Sequence, residues 1–381
     1  MHKYLPRRCR NIKPFIAMEV LERAQFIERQ GKKVLYMCVG EPDIPPHPAV
    51  TESLVQALRE GKSSYTHSLG IIELREAISE YYLERYKVSI SPEQIVVSSG
   101  TSPLMLLMFS LILEKGKKFI LPNPSYACYP NYVNFLEGKI VDFKLKDKEQ
   151  NYSEIEKLLD KGVSGLIINS PSNPTGEVLS KKELGYLANL PINIISDEIY
   201  HGLTYEGDEE TILRYRDDAF VINGFSKAFS MTGFRLGYAI VPKRFVRVVR
   251  SLHQNFIICA PTFVQWAGIT ALKHYKEIID EAKKIFDSRR RFLLDGLKKI
   301  GLGYWGNPKG AFYVLVDMKF LGKSSIDISL MLLERYNLAV TPGIDFGTNA
   351  EGYIRLSYAT SLENLEKALD IFQRVKKSNN E

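Results

Sequence analysis

The chain has 381 residues, 45% of them hydrophobic, 11% aromatic and 25% charged. That is the make-up of a folded globular protein of two or three domains, and it excludes collagen-like, low-complexity and disordered classes. The 51 Lys and Arg against 44 Asp and Glu leave a net charge of +7, scattered without a block of like charges that would mark a nucleic-acid partner.

The N-terminal stretch Met1–Arg10 is basic but lacks the apolar run of a secretion signal. Residues 17–30 place Val20, Leu21, Ala24 and Ile27 on one helix face, with Gly31 as the stop. The Pro-rich bend Gly40-Glu41-Pro42-Asp43-Ile44-Pro45-Pro46 reads as a strap crossing between domains. From about residue 50, short Val/Ile/Leu-rich runs alternate with helical stretches: Gln94–Val97, Lys118–Leu121, Leu166–Ile168, Ile192–Ile195, Phe220–Ile222 and Leu236–Val241. Runs this continuous belong to strands buried on both faces, and helices between them imply crossovers, so the fold class is α/β with a mostly parallel sheet. The tail reads as a smaller α+β region, with strands at 310–317 and 352–358 and helices at about 275–299, 325–337 and 361–376. The expected division is a large domain, 46–280, and a small domain built from both ends, 1–45 and 281–381.

Other classes of function find little support. The apolar run Leu104–Leu113 is shorter than the roughly 18–20 residues that cross a bilayer, so no membrane role is expected. Cys9, Cys38, Cys128 and Cys259 form no C-x-x-C pair and read as reduced thiols of a cytoplasmic protein. Histidine spacing offers no metal site, and none is expected. The basic groups Lys243, Arg244, Arg247 and Arg250, and Arg289–Arg291, read as solvated helix faces.

In open α/β sheets, ligands bind beyond the carboxyl ends of the strands. After Val97 comes Ser98-Ser99-Gly100-Thr101-Ser102, then Pro103 as the expected first helical position; taken alone this is an ordinary N-cap or a start with free backbone N–H groups that suits a phosphate. After Leu121 comes Pro122-Asn123-Pro124-Ser125-Tyr126, bringing an aromatic ring to the same edge. After Ile168 comes Asn169-Ser170-Pro171-Ser172-Asn173-Pro174-Thr175-Gly176, a stretch dense in Pro, Asn and Gly whose fixed backbone either aims one amide or makes a plain turn. Asp197 and Tyr200 follow Ile195, and Ser226 and Lys227 follow Ile222, with Arg235 eight residues on. A lysine behind a buried strand, followed by Ala228 and Phe229, is a poor solvated ammonium and a good candidate for lowered basicity. A phosphorylated aldehyde cofactor asks for these parts together: a lysine, an acid for its ring nitrogen, an aromatic face and phosphate donors.

The chain resembles the fold-type I pyridoxal-phosphate aminotransferases of class I/II, in the aspartate aminotransferase-like branch. The resemblance runs from about Ile12 to Thr360 and is carried by Gly40-Glu41-Pro42-Asp43, Tyr65-Thr66 with Gly70 and Leu74-Arg75, and Asn173-Pro174-Thr175-Gly176. Asp197-Glu198-Ile199-Tyr200, Phe225-Ser226-Lys227-Ala228-Phe229, Thr232 to Gly237, and Arg355-Leu356-Ser357 complete it. It implies a seven-stranded-type, mostly parallel sheet flanked by helices, plus a smaller α+β domain. It implies pyridoxal phosphate (PLP) as cofactor and amino-group exchange between an L-amino acid and a 2-oxo acid by a ping-pong route. Lys227 is implied as the Schiff-base lysine and general base, and Asp197 as the partner of the ring nitrogen. Asn173 and Tyr200 are implied at the 3-oxygen, with Tyr126 stacked on the ring. Gly100, Thr101, Ser102, Ser226 and Arg235 are implied at the phosphate, with Tyr65 reaching across a homodimer interface. Arg355, with Gly40 and Asn173, is implied at the substrate carboxylate. On periodicity alone Arg355 would face outward, because Ile354, Leu356 and Tyr358 share the other side. Two positions depart from patterns in the family: Gly224 stands where some branches carry a phosphate-binding Ser, and Ser102 where some aspartate-active relatives carry Lys.

The alternatives come from three directions. A C–S lyase or other β/γ-elimination enzyme would use the same site, since fold does not fix reaction outcome. Gly224-Phe225-Ser226-Lys227-Ala228 nearly matches the nucleophile elbow of a serine hydrolase, which would recruit His253 or His274. A ligand-sensing module of a transcription regulator would need an added DNA-binding domain, for which the dozen residues before the resemblance give no room.

Overall fold

The computed structural model describes residues 4–147 and 152–380, so the ends of the N-terminal stretch and of the tail (Met1–Lys3 and Glu381) lie outside the described residues. Among the described residues there are twelve strands, in chain order β1 Leu35–Tyr36, β2 Ile95–Ser98, β3 Lys118–Asn123, β4 Lys139–Lys144, β5 Val163–Asn169, β6 Asn193–Asp197, β7 Phe220–Gly224, β8 Gly237–Ile240, β9 Tyr313–Asp317, β10 Leu338–Ala339, β11 Thr341–Pro342 and β12 Tyr353–Ser357. Seven form one sheet in the order β2-β8-β7-β6-β5-β3-β4. β8 runs antiparallel to both its neighbours, and every other pairing in the sheet is parallel. β2, β7 and β8 are buried at every residue, as their unbroken apolar runs require.

The expected strands lie within a few residues of observed ones, but four observed strands were missing from the expectation: β4 of the large sheet and the two-residue strands β1, β10 and β11. β4 sits at the sheet edge with Phe143 as its one buried residue, so it carries little of the apolar signal by which buried strands are recognised. The apolar helix that follows β2 spans Thr101–Ile112 and buries Leu104, Met105, Leu107, Met108, Phe109 and Ile112, half of its residues. It starts two residues before Pro103, with Gly100 as its N-cap.

The two chain ends meet in the second part of the molecule. β1 pairs parallel with β10, register Leu35 to Leu338, and β11-β12-β9 make an antiparallel sheet. The helix Ile16–Arg29 buries Ala17, Val20, Ala24 and Ile27, packed with Cys38, Leu333 and Ala339. A single helix, Tyr275–Lys299, runs without a break across position 280. Arg290 on that helix is not on a solvated face: it is buried and donates to Asp287 and to Glu206. Its neighbour Arg289 makes a bidentate pair with Asp43, at 2.6 and 2.9 Å, which ties the Pro-rich strap to this helix. Among the described residues no helix is long and apolar enough to cross a membrane.

Candidate active site

A cavity of about 320 Å³ opens at the carboxyl ends of the parallel strands. Lys227, Asp197, Tyr200, Asn173, Tyr126 and Ser226 all line it, as do Thr101, Ser102, Arg235, Arg355 and Gly40. Gly100 is buried and is not among the lining residues, although Thr101, which follows it, is. Tyr65 does not line the cavity and is 82% exposed.

Lys227 follows β7 in the turn that leads away from the buried sheet, and its Nζ donates to the carbonyl of Gly40 at 2.6 Å. Loss of water around the amine, helped by the positive charge of Arg355, lowers its pKa to about 8. Asp197 ends β6 and is buried, which raises its carboxyl pKa to about 6. Tyr129 Oη donates to Asp197 Oδ2 at 2.6 Å and the Ile199 N–H to Oδ1 at 3.2 Å, and both oppose that rise. A carboxylate so placed gains from a cation beside it, which is what a protonated ring nitrogen provides. Asn169 holds the neighbouring segments in register: its Nδ2 donates to Asp197 O at 2.8 Å, and its Oδ1 accepts from Asn173 N at 2.7 Å.

Where a phosphate is expected, a helix start and an arginine come together. Gly100 has φ 85°, a conformation that favours glycine, and no side chain caps the helix N-terminus that follows it. A Cβ on Gly100 would stand 2.5 Å from Arg235 Nη2, so the guanidinium lies against this turn. Arg235 itself is held with φ 55°, and its Nη1 donates to the Thr232 carbonyl at 3.0 Å. Gly224 is packed against β8: a Cβ there would come 2.9 Å from the Gly237 Cα, so no serine fits in this arrangement.

Arg355 is buried rather than outward-facing, because both sides of β12 are covered. Its guanidinium lies 4.4 Å from the Tyr313 ring centre and 4.8 Å from that of Phe346. Nη1 donates to Asn173 Oδ1 at 2.9 Å and Nη2 to the Cys38 carbonyl at 2.5 Å, while Nε is buried without a partner. A buried cation with an unused donor and, among the described residues, no carboxylate in an ion pair with it fits an anionic ligand group. Gly40 leaves room for this packing, since a Cβ on it would overlap Tyr313 Oη at 1.7 Å.

Several contributors went unread in the sequence. Tyr129 holds Asp197, and Tyr313 Oη shares a 2.8 Å hydrogen bond with Tyr200 Oη. Tyr129 had a local signal, standing one helical turn after Tyr126; Tyr313 had none. Tyr126 packs edge-on against Tyr129 and Phe15, at 5.3 and 6.0 Å between ring centres. The histidines recruited for a serine hydrolase are elsewhere. His253 is buried with neither ring nitrogen bonded, and His274 stacks on His47; neither lines the cavity beside Ser226.

Fold and site together define the class: a fold-type I pyridoxal-phosphate enzyme. Residues 32–372 match the family model for aminotransferase class I and II, and the chain belongs to that family. It is 40% identical over 377 residues to (5-formylfuran-3-yl)methyl phosphate transaminase of Methanocaldococcus jannaschii, covering 96% of this chain and 98% of that one. It is 36% identical to the aspartate/prephenate aminotransferase of Thermus thermophilus, covering 97% and 98%. Among solved structures, aspartate aminotransferase from Thermus thermophilus with maleate superposes with a TM-score of 0.93 at 35% identity, over 98% of this chain and all of that one. A Methanococcus jannaschii protein described as similar in its active site to kynurenine aminotransferases gives 0.90 at 38%, over 98% and 100%. Members of this family use pyridoxal phosphate, and this chain is a PLP-dependent aminotransferase.

Proposed function

We propose that the cavity is the transamination site of a cytoplasmic homodimer, with roles divided among the residues as follows. When bound, pyridoxal phosphate supplies an electron-withdrawing ring that accepts the electron pair left as the Cα–H bond breaks. Lys227, with a pKa of about 8, holds the cofactor and, once released, carries the proton between carbon atoms as the general base. Asp197 pairs with the ring nitrogen, Asn173 and Tyr200 orient the 3-oxygen, and Tyr126 covers one face. Thr101, Ser102, Ser226 and Arg235, with the Gly100 backbone, hold the phosphate. Arg355 takes the substrate α-carboxylate, with Asn173 and the backbone of Gly40 beside it. Tyr65, being exposed and outside its own cavity, is assigned to the partner's phosphate site. The large domain is taken as 46–280 and the small one as 1–45 with 281–381, the helix Tyr275–Lys299 joining them.

The observation that carries this reading is the convergence of a lysine of lowered basicity, a buried carboxylate and a buried arginine with a free donor on one cavity. The test is the visible spectrum of the PLP-loaded protein on adding single amino acids without an acceptor. Conversion to the amine form, with release of the 2-oxo acid, is expected of a transaminase; elimination products such as pyruvate and ammonia would mark a lyase instead. Lys227→Ala should keep cofactor bound non-covalently and lose turnover.

A further inference from the structure

The turn Gly343–Phe346, between β11 and β12, makes contacts in three directions. Asp345 reaches the start of the helix Ile16–Arg29: Oδ1 accepts the Ile16 N–H at 3.1 Å and Oδ2 the Ala17 N–H at 3.0 Å. A carboxylate on two otherwise free N–H groups of a helix N-terminus is a strong local anchor. The next side chain, Phe346, lies over the Arg355 guanidinium, and its carbonyl accepts from Ser125 N at 2.9 Å, next to Tyr126. The anchored helix start is itself cavity wall, since Phe15, Ala17 and Met18 line the cavity, and Phe15 meets the Tyr126 ring edge-on.

Among the described residues of this chain, the cationic lining of the cavity consists of Lys227, Arg235 and Arg355, and its acidic lining of Asp197 and Glu41, whose carboxylate accepts from Thr232 Oγ1. Much of the remaining wall is apolar or aromatic: Phe15, Met18, Val39, Met105 and Tyr132. We infer that Asp345 is a positioning residue that holds Phe15, Ala17 and Met18 as the wall of the substrate's side-chain subsite, and that this subsite takes amino acids with uncharged, apolar side chains. The inference rests on the proposed use of Arg355 for the α-carboxylate. Against this wall a second carboxylate on the substrate would lose water beside apolar and aromatic groups, whereas an apolar side chain gains from leaving water.

The test is the half-reaction of the PLP-loaded dimer with L-phenylalanine, L-leucine, L-alanine and L-aspartate, giving an apparent Kd and a limiting rate for each. Phenylalanine and leucine should react at least about tenfold more efficiently than aspartate. Asp345→Ala should raise the apparent Kd for phenylalanine by about tenfold while changing that for alanine, whose methyl group makes little use of the wall, by less than about twofold. Its limiting rates should be nearly unchanged, and Asp345→Asn, which keeps one acceptor oxygen, should fall between. The double variant Phe15→Ala/Met18→Ala leaves the anchor intact and carries the same expectation should Asp345→Ala fail to fold. Preference for aspartate, or equal losses with alanine and phenylalanine in these variants, overturns the inference while leaving the aminotransferase reading in place. No spectral conversion with any amino acid overturns both.

Discussion

The basicity of Lys227 is the property on which the proposed chemistry depends, and it can be measured without substrate. At pH 7 an amine with a pKa of about 8 is roughly 9% neutral, against about 0.03% for a lysine at 10.5, a gain of about 300-fold in nucleophilic form. Burial is the largest cause, and the positive charges of Arg355 and Arg235 add to it, while Glu41 and Asp197 pull the other way. Arg355→Met should therefore move the pKa upward by the smaller part of the distance between about 8 and 10.5, and Glu41→Gln should move it downward. The assay is acylation of the cofactor-free protein by an amine-reactive reagent across pH, with the Lys227 peptide quantified by mass spectrometry. The labelling rate should level off above about pH 8 in the natural chain. A rate that keeps rising to the pH range of ordinary surface lysines, or an inflection unmoved by Arg355→Met, would refute the electrostatic account.

Two further outcomes follow from the same site. Tyr129→Phe removes the 2.6 Å hydrogen bond that favours ionised Asp197, so the carboxyl pKa should rise beyond about 6 and cofactor affinity fall roughly ten- to hundredfold, more at acid pH. Titration of PLP into the apo-protein checks this, and unchanged affinity would separate Tyr129 from the role. Lys227→Met should stabilise the apo-protein at pH 7 by up to about 3 kcal/mol, less the lost bond to Gly40 O, because the folded chain must protonate an amine whose pKa has dropped from 10.5 to about 8. The sign fixes the window: below about pH 8 the penalty is complete, and it fades as pH rises toward 10.5, so denaturation curves of the two chains should converge there.

What was readable in the chain depended on how local its cause is. The strands of the sheet interior announced themselves because burial on both faces demands unbroken apolar runs, and β4 stayed silent because an edge strand makes no such demand. Asp197, Thr101 and Lys227 could be found by following strands to their ends, since the backbone alone carries them to the same edge. Arg355 could not: its alternation with Ile354 and Leu356 describes an exposed side chain, and only the cover over both faces of β12 makes it a buried cation. The family resemblance singled it out where periodicity pointed the other way. Tyr313 and Asp345 had neither kind of signal. Their partners lie 113 residues away at Tyr200 and more than 300 residues away at Ile16, so their use is created by the packing of one part of the molecule on another. The reacting groups therefore arise from strand-end geometry that many sequences share, while the residues that hold the cavity's walls arise from contacts particular to this chain. Substrate choice should accordingly be altered more readily at Phe15, Met18 and Asp345 than at the strand ends.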